Sequence, residues 1–515
     1  MKLKALVAIA LGAVLVMPVA RAQDARTVLQ AVAQNIGAEN LNTLQISGNK
    51  GWSAAPGGSY SPTDDWPRFE LTSYSKQIDF NAHFSRDQLS RQLGPYPKLG
   101  AGQGVPDQGQ QHMDFVLNGS TAWVLAGGGF GPLDREGYMD GIPVAEMWQL
   151  DVIMTPHGFV KAALAPGANP VAVMTGPRGH QLDYISITAL GKYHVTAAVN
   201  ERNEIESVTT HVANPIFGDM LYEWRYGPYK QFGAVKYPSL IHHDEGDVRL
   251  NPAHNALEVQ ISDVQANAPV QVITPPAGTE KLPGESVARV ESQKLADGVW
   301  YVAGIRHASV AVEFRDFMAV VDAPLNEKRA IAVIDEVHRL APNKPIRYLV
   351  NTHHHFDHSG GLRTYVAEGA TVVTNRMNRE FYERVMFSPA PRTLEPDRLS
   401  LLNPDLLPHP VMELVGGKYV ISDGTRTLDV YTLPPYDHAA DMMVAYLPHE
   451  KMLINADIYE PPQKGGRPPK PSEGTRVLLE TIQRLGLDVS WDVGLHSGVG
   501  PHEDLVKLMG QPSGN

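Results

Sequence analysis

The arrangement of apolar and polar positions changes rhythm along the chain. Up to about residue 265, short apolar runs broken by tight turns read as strands. Asp114 to Leu117 and Thr121 to Leu125 flank Asn118-Gly119, a hairpin turn signal. Tyr193 to Val199 and Ile205 to Val212 flank another polar turn. Val248 to Leu250 and Leu257 to Ile261 add short strands, and Ala25 to Ile36 reads as a helix. Residues 23–265 are therefore expected to form a β-rich, mostly antiparallel N-terminal domain. Residues 266–286 hold Pro269, Pro275, Pro276, Gly278, Pro283 and Gly284, a density that fits a linker.

From Val287 onward, helical spacing enters. Gly298 to Val302, Ser309 to Glu313 and Phe317 to Val321 read as strands, and Asn326 to Leu340 as a helix with Ile331, Ile334, Val337 and Leu340 on one face. Pro345 to Val350 is a buried strand. Gly361 to Glu368, Arg376 to Val385 and Thr475 to Leu485 read as helices, and Thr427 to Tyr431, Met442 to Tyr446 and Lys451 to Asn455 as strands. Strands alternating with helices, mixed with hairpins, predict an α/β domain over 287–515 with a sheet core and helices on its faces.

Composition adds three constraints. Hydrophobic residues make up 43% and charged ones 19% of 515 residues, which suits a soluble chain with a large core. The net charge of -12 carries no basic excess for nucleic acid or an anionic membrane surface; a small-molecule substrate is the partner expected of the candidate chemistry, not of the charge. With no cysteine, there is no thiolate nucleophile, cysteine ligand or disulfide, and any metal must be held by His and Asp/Glu. At the start, Lys2 and Lys4 precede the apolar run Ala5 to Met17 and the small-x-small pattern Ala20-Arg21-Ala22. Residues 1–22 are expected to be a signal peptide, giving a periplasmic or secreted protein with no stable membrane insertion after cleavage.

The candidate chemistry lies in Asn351-Thr352-His353-His354-His355-Phe356-Asp357-His358-Ser359-Gly360-Gly361, a loop between a buried strand and a helix. His353 and His355 are two apart, so in extended backbone they project the same way and reach one metal. Asp357 and His358 follow the turn of the chain and face a second ion. Gly360 and Gly361 permit the sharp entry into the helix. Other segments invite misreading. Gly127 to Gly131 is followed by Pro132 and no helical pattern, so it reads as a turn. His242-His243-Asp244 runs into Glu245-Gly246-Asp247 and reads as the approach to a hairpin tip. His354 and His449 read as non-ligands.

This loop resembles the metal-binding signature of the metallo-β-lactamase-fold hydrolase superfamily, and the resemblance extends over about residues 290–505. Tyr436-Asp437-His438-Ala439-Ala440-Asp441 looks like a further motif with His438 as ligand. Asn455-Ala456-Asp457 looks like another with Asp457 as bridging carboxylate, and Leu495-His496-Ser497-Gly498 like the last, with His496 as ligand. Val320-Val321-Asp322-Ala323-Pro324 matches the motif whose aspartate, here Asp322, braces the metal loop. The resemblance implies an αββα sandwich, with His353, His355 and His438 on one ion, Asp357, His358 and His496 on the other, and Asp457 between them. It also implies two zinc ions, manganese or iron being compatible with the same ligands, that activate water, with Asp357 accepting or relaying a proton. β-Lactamases of this superfamily usually lack the bridging carboxylate, which its esterase, thioesterase and phosphodiesterase branches have. The expected function is thus metal-dependent hydrolysis of an ester, lactone, thioester or amide. The alternatives are a β-lactamase of the same fold, and a ligand-binding protein whose N-terminal sheet carries the ligand beside a vestigial metal site. Specificity is expected in the loops Phe387 to Arg398 and Tyr459 to Ser472, the latter rich in proline and glycine and placed as a lid.

Overall fold

A computed structural model describes residues 24–101, 109–126, 129–132, 142–175, 182–247, 249, 254–275, 288–304, 307–387, 391–406, 411–462, 469–496 and 498–510. The expected signal peptide and most of the expected linker lie outside these residues.

The N-terminal half is built on one antiparallel sheet of 13 strands. Its chain path explains its size. Strand Thr43–Ala54 pairs on one side with Arg68–Asp79, starting a meander that runs out to the edge strand Gly129–Pro132. On its other side it pairs with His254–Ala266, the last strand of the region, from which the meander continues back to Val171–Thr175. The Asn118-Gly119 hairpin forms as expected, with Asn118 opposite Thr121 and Gly119 at φ 60°, which needs no Cβ. Gly129–Pro132 is an edge strand, so this glycine run is no phosphate loop; Gly127 and Gly128 lie outside the described residues. Helix Ala25–Ile36 packs its buried Val28, Leu29, Val32 and Ile36 into the core.

Two further helices, Val144–Met154 and Pro156–Leu164, interrupt a region that the sequence pattern renders as strands. The first reads VAEMWQLDVIM, apolar on every side, so it carries no polar-apolar stripe to announce a helix.

The C-terminal half contains two facing sheets. One has seven strands, in chain order from Glu291–Ala296 to Met412–Val415; the other has six, from Lys418–Ser422 to Gly498–Pro501. Period-two alternation divides each strand between two cores. In Ala308–Glu313, Val310 and Val312 face the second sheet while Ala311 faces the helices; in Met318–Val321, Ala319 and Val321 do the first and Val320 the second. Helix Glu327–Leu340 covers the outer face of one sheet through Val333, Ile334 and Val337, its first turn capped by the Asn326 side chain. Helix Glu473–Leu485, with a Ser472 capping box, covers the other through Val477, Leu478 and Ile482. This is the expected αββα sandwich.

The core under helix Glu327–Leu340 is continuous with the core of the N-terminal sheet. Among the described residues no helix is long and apolar enough to cross a membrane.

Candidate metal centre

Strand direction gathers the candidate residues at one end of the sandwich. Met318–Val321 and Ile346–Val350 run parallel, so Asp322 and the loop from Asn351 leave the sheet side by side. Met452–Asn455 and Trp491–Gly494 also run parallel and deliver Asp457 and His496. His438 precedes Met443–Leu447, which is antiparallel to Met452–Asn455 and so begins at the same end. Two backbone bonds tie the sheets together there: Met443 N donates to Thr352 O at 2.8 Å, and Ala308 N to Leu495 O at 2.8 Å.

All seven sequence-identified ligand candidates meet. His353, His355, His438 and Asp457 form one group, and His307, Asp357, His358 and His496 another; within each, one potential donor atom per residue lies within 4.8 Å of all the others. Among the described residues there are no other such groups. Asp457 touches both: its Oδ2 is 2.8 Å from His358 Nε2 and 3.4 Å from both His353 Nε2 and His438 Nε2, and its Oδ1 is 2.9 Å from His496 Nε2.

His307 was not apparent from the sequence. It stands alone just before a strand, about 45 residues upstream of the motif, and only pairing of that strand with Met318–Val321 brings it here. Its Nε2–H donates to Asp357 Oδ2 at 3.1 Å, and its ring meets that of His496 at 4.2 Å. The buried Arg329 guanidinium holds its backbone carbonyl at 3.1 Å.

Each loop residue has a partner that aims it. Asp322 Oδ2 accepts from His358 Nδ1 at 2.8 Å, which turns His358 Nε2 toward the other donors. The same carboxylate accepts from Thr352 N at 2.7 Å and Thr352 Oγ1 at 2.8 Å, which braces the loop. His355 Nε2–H donates to Ser59 O at 2.9 Å, so its lone pair lies on Nδ1. His354 turns away, its Nδ1 on Asp441 Oδ1 at 2.8 Å and its Nε2 beside Ser59 Oγ at 3.0 Å. Asp322 and Asp457 adopt left-handed backbone, φ 62° and 58°, conformations an L-residue keeps only where its surroundings demand them.

The electrostatics suit cations. Burial, then repulsion from His353 and His438, pushes His355 well below the ordinary imidazole range, leaving it neutral as a ligand must be. Burial disfavours charge on Asp457 and Asp357. Even so, His496 and His358 hold Asp457 well below the carboxylate range, and His358 and His307 do the same for Asp357. Burial likewise opposes charge on His496, yet Asp457 raises it to about 9. Both carboxylates therefore favour the ionised form, the form in which a carboxylate holds a divalent ion. An all-His/Asp donor set fits zinc, with manganese and iron also compatible.

The other candidates fall elsewhere. His242 is occupied by Glu258, Asp244 and Asn255. His449 is exposed beside Glu450. The described start of the expected lid is pinned: Tyr459 N donates to Asn455 Oδ1 at 2.8 Å, and Glu460 Oε2 accepts from His496 N at 3.1 Å. Residues 463–468 lie outside the described set.

Residues 306–465 match the family model of the metallo-beta-lactamase superfamily, as the motifs implied. No match to a curated protein was found. Among solved structures, a metallo-beta-lactamase from Pontibacter korlensis is 17% identical, covering 43% of this chain and 100% of its own, with a TM-score of 0.33. A metallo-beta-lactamase from Hirschia baltica is 18% identical over 42% of this chain and 95% of its own, with a TM-score of 0.31. Rubredoxin oxygen:oxidoreductase from the anaerobe Desulfovibrio gigas is 17% identical over 42% of this chain and 59% of its own, with a TM-score of 0.32. The family match and the His/Asp groups together suggest a metal-dependent hydrolase.

Proposed function

We propose that this protein is a hydrolase with a dinuclear, zinc-type centre that cleaves an ester, lactone, thioester or amide and is not primarily a β-lactamase. The observation that carries the reading is Asp457, whose two oxygens lie between the donor groups and contact four imidazoles drawn from both. A carboxylate in that position offsets the repulsion between neighbouring dications. It is also the feature that the superfamily's β-lactamases usually lack.

His353, His355 and His438 would hold one ion and Asp357, His358 and His496 the other. Bound there, two divalent ions would lower the pKa of a water and polarise the scissile carbonyl. The chain's own groups supply the rest. Asp357, beside the place where water would be held, would accept or relay its proton. His307 Nε2–H fixes which way its carboxylate faces. Asp322 keeps His358 in the tautomer that presents Nε2 inward.

The test is metal content per chain by plasma mass spectrometry, together with turnover of a chromogenic cephalosporin beside a lactone and a thioester. Two ions and preference for the lactone or thioester are expected. One tightly held ion, or clear preference for the cephalosporin, would overturn the reading. The leader at residues 1–22 supports a periplasmic or secreted location, and N-terminal sequencing of the exported protein is expected to begin at Gln23; a start at Met1 would refute export with cleavage.

A further inference from the structure

The metal loop is gripped from outside its own domain. Phe356 stands between the pair His353/His355 and the pair Asp357/His358, and its ring meets two aromatic side chains of the N-terminal half. Trp66 lies edge-on at 6.3 Å and Phe217 at 5.5 Å, with His254 stacked on Trp66 at 4.7 Å. Gly57, in the loop between the first two strands of the N-terminal sheet, covers the same ring. A Cβ at Gly57 would lie 2.7 Å from two Phe356 ring atoms, closer than packed atoms approach, and the residue's φ of +75° already favours glycine. Gly57 O accepts from Phe356 N at 3.2 Å, and two residues on, Ser59 O accepts from His355 Nε2 at 2.9 Å. The neighbouring motif is held likewise: Ala440 N donates to Tyr60 O at 2.8 Å, and Gly100 N to Asp437 O at 2.7 Å.

These contacts are unequal between the two donor groups. His358 takes its orienting bond from Asp322, within the sandwich. His355 takes its own from the N-terminal sheet. A carbonyl only accepts, so Ser59 O fixes the proton on Nε2 and frees Nδ1 for the ion. We infer that the loop 57–60 of the N-terminal sheet is a working part of the metal centre. Gly57 and Ser59 are positioning residues that set the ring of His355, so that the ion held by His353, His355 and His438 depends on the N-terminal half while its neighbour does not. This rests on the dinuclear reading proposed above, and it gives the N-terminal sheet a role in building the site, with no separate ligand required.

The experiment is a zinc titration of the metal-free full-length chain against a chromophoric chelator, which resolves two binding steps, repeated with cobalt(II) to read each site's spectrum. Gly57→Val drives the Phe356 ring away and is expected to weaken one step by about 10–100-fold while sparing the other, the range seen when a ligand's orienting partner is lost. Phe356→Leu, which empties the aromatic seat without inserting atoms, is expected to weaken the same step and decides the matter if Gly57→Val does not fold. Thermal unfolding of each metal-free variant verifies the fold. A folded Gly57→Val or Phe356→Leu chain that binds both ions as wild type does, or loses both equally, overturns the inference. A wild-type chain that binds no metal would instead remove the hydrolase reading itself.

Discussion

Asp357 and His307 show how side chains close together here carry separable roles. Asp357→Asn keeps the size and the hydrogen bond but loses the charge and the proton-accepting oxygen. It should reduce turnover by orders of magnitude with little change in fold. Steady-state kinetics beside circular dichroism decide this, and retention of more than about a tenth of wild-type activity would mean that the proton goes elsewhere. His307→Phe preserves a ring against His496 but removes the Nε2–H that holds Asp357. A drop of about 10-fold in activity or in metal retention at the Asp357 group is expected, since orienting partners of ligands carry effects of that size. Unchanged kinetics and metal content would leave His307 a packing residue.

At the scale of elements, what was legible followed local periodicity. The helix Glu327–Leu340 and the strand Ile346–Val350 fall within a residue or so of the expected bounds, because amphipathic spacing and the apolar Ile346, Leu349 and Val350 are local facts. The metal loop was legible because its ligands are packed into six residues. His438, Asp457 and His496 needed the family resemblance, since nothing in their own segments says that parallel strands bring them to one end. Helix Val144–Met154 was illegible because it is apolar on all sides, and His307 because its meaning depends on strand pairing. Helix Pro156–Leu164 carries a pH-sensitive joint. His157 is fully buried, its Nε2–H bonded at 3.0 Å to the Ile36 carbonyl that ends the first helix, its ring stacked on Tyr237. Burial pushes it from the ordinary 6.5 down to about 4, so it is neutral in the fold and takes up a proton more readily when unfolded. Its contribution is complete above pH 6.5 and is lost as the pH falls toward 4, amounting to about 3 kcal/mol. Urea unfolding of metal-free chains should therefore show wild type losing about 3 kcal/mol more than His157→Gln between pH 7 and pH 4. Equal losses would show that the imidazole stays accessible to protons.

For the whole molecule, the question is whether the two halves are separately stable. Their cores form one continuous cluster, from Val28 and Leu44 through Phe217 to Val333 and Leu362. A second seam joins residues 214–219 to residues 391–394. Asp219 accepts from Thr393 N at 2.8 Å, from Leu394 N at 3.1 Å and from Thr393 Oγ1 at 2.6 Å. The Arg392 guanidinium, buried there, donates to the carbonyls of Asn214, Pro215 and Ile216 at 3.2, 3.1 and 2.9 Å. A connection made through exposed linker residues alone would let each half melt in its own transition. A shared core with buried, fully directional polar contacts couples them, because opening the seam exposes apolar surface and strands charged donors at once. Calorimetry of the metal-free full-length chain is expected to give one transition, with calorimetric and van't Hoff enthalpies equal. Arg392→Ala leaves three backbone carbonyls without their donor and should lower stability by about 2–4 kcal/mol. It should also broaden or split that single transition as the halves begin to unfold apart. Two well-separated transitions in the wild-type chain would show instead that the N-terminal sheet is an independent domain resting on the hydrolase.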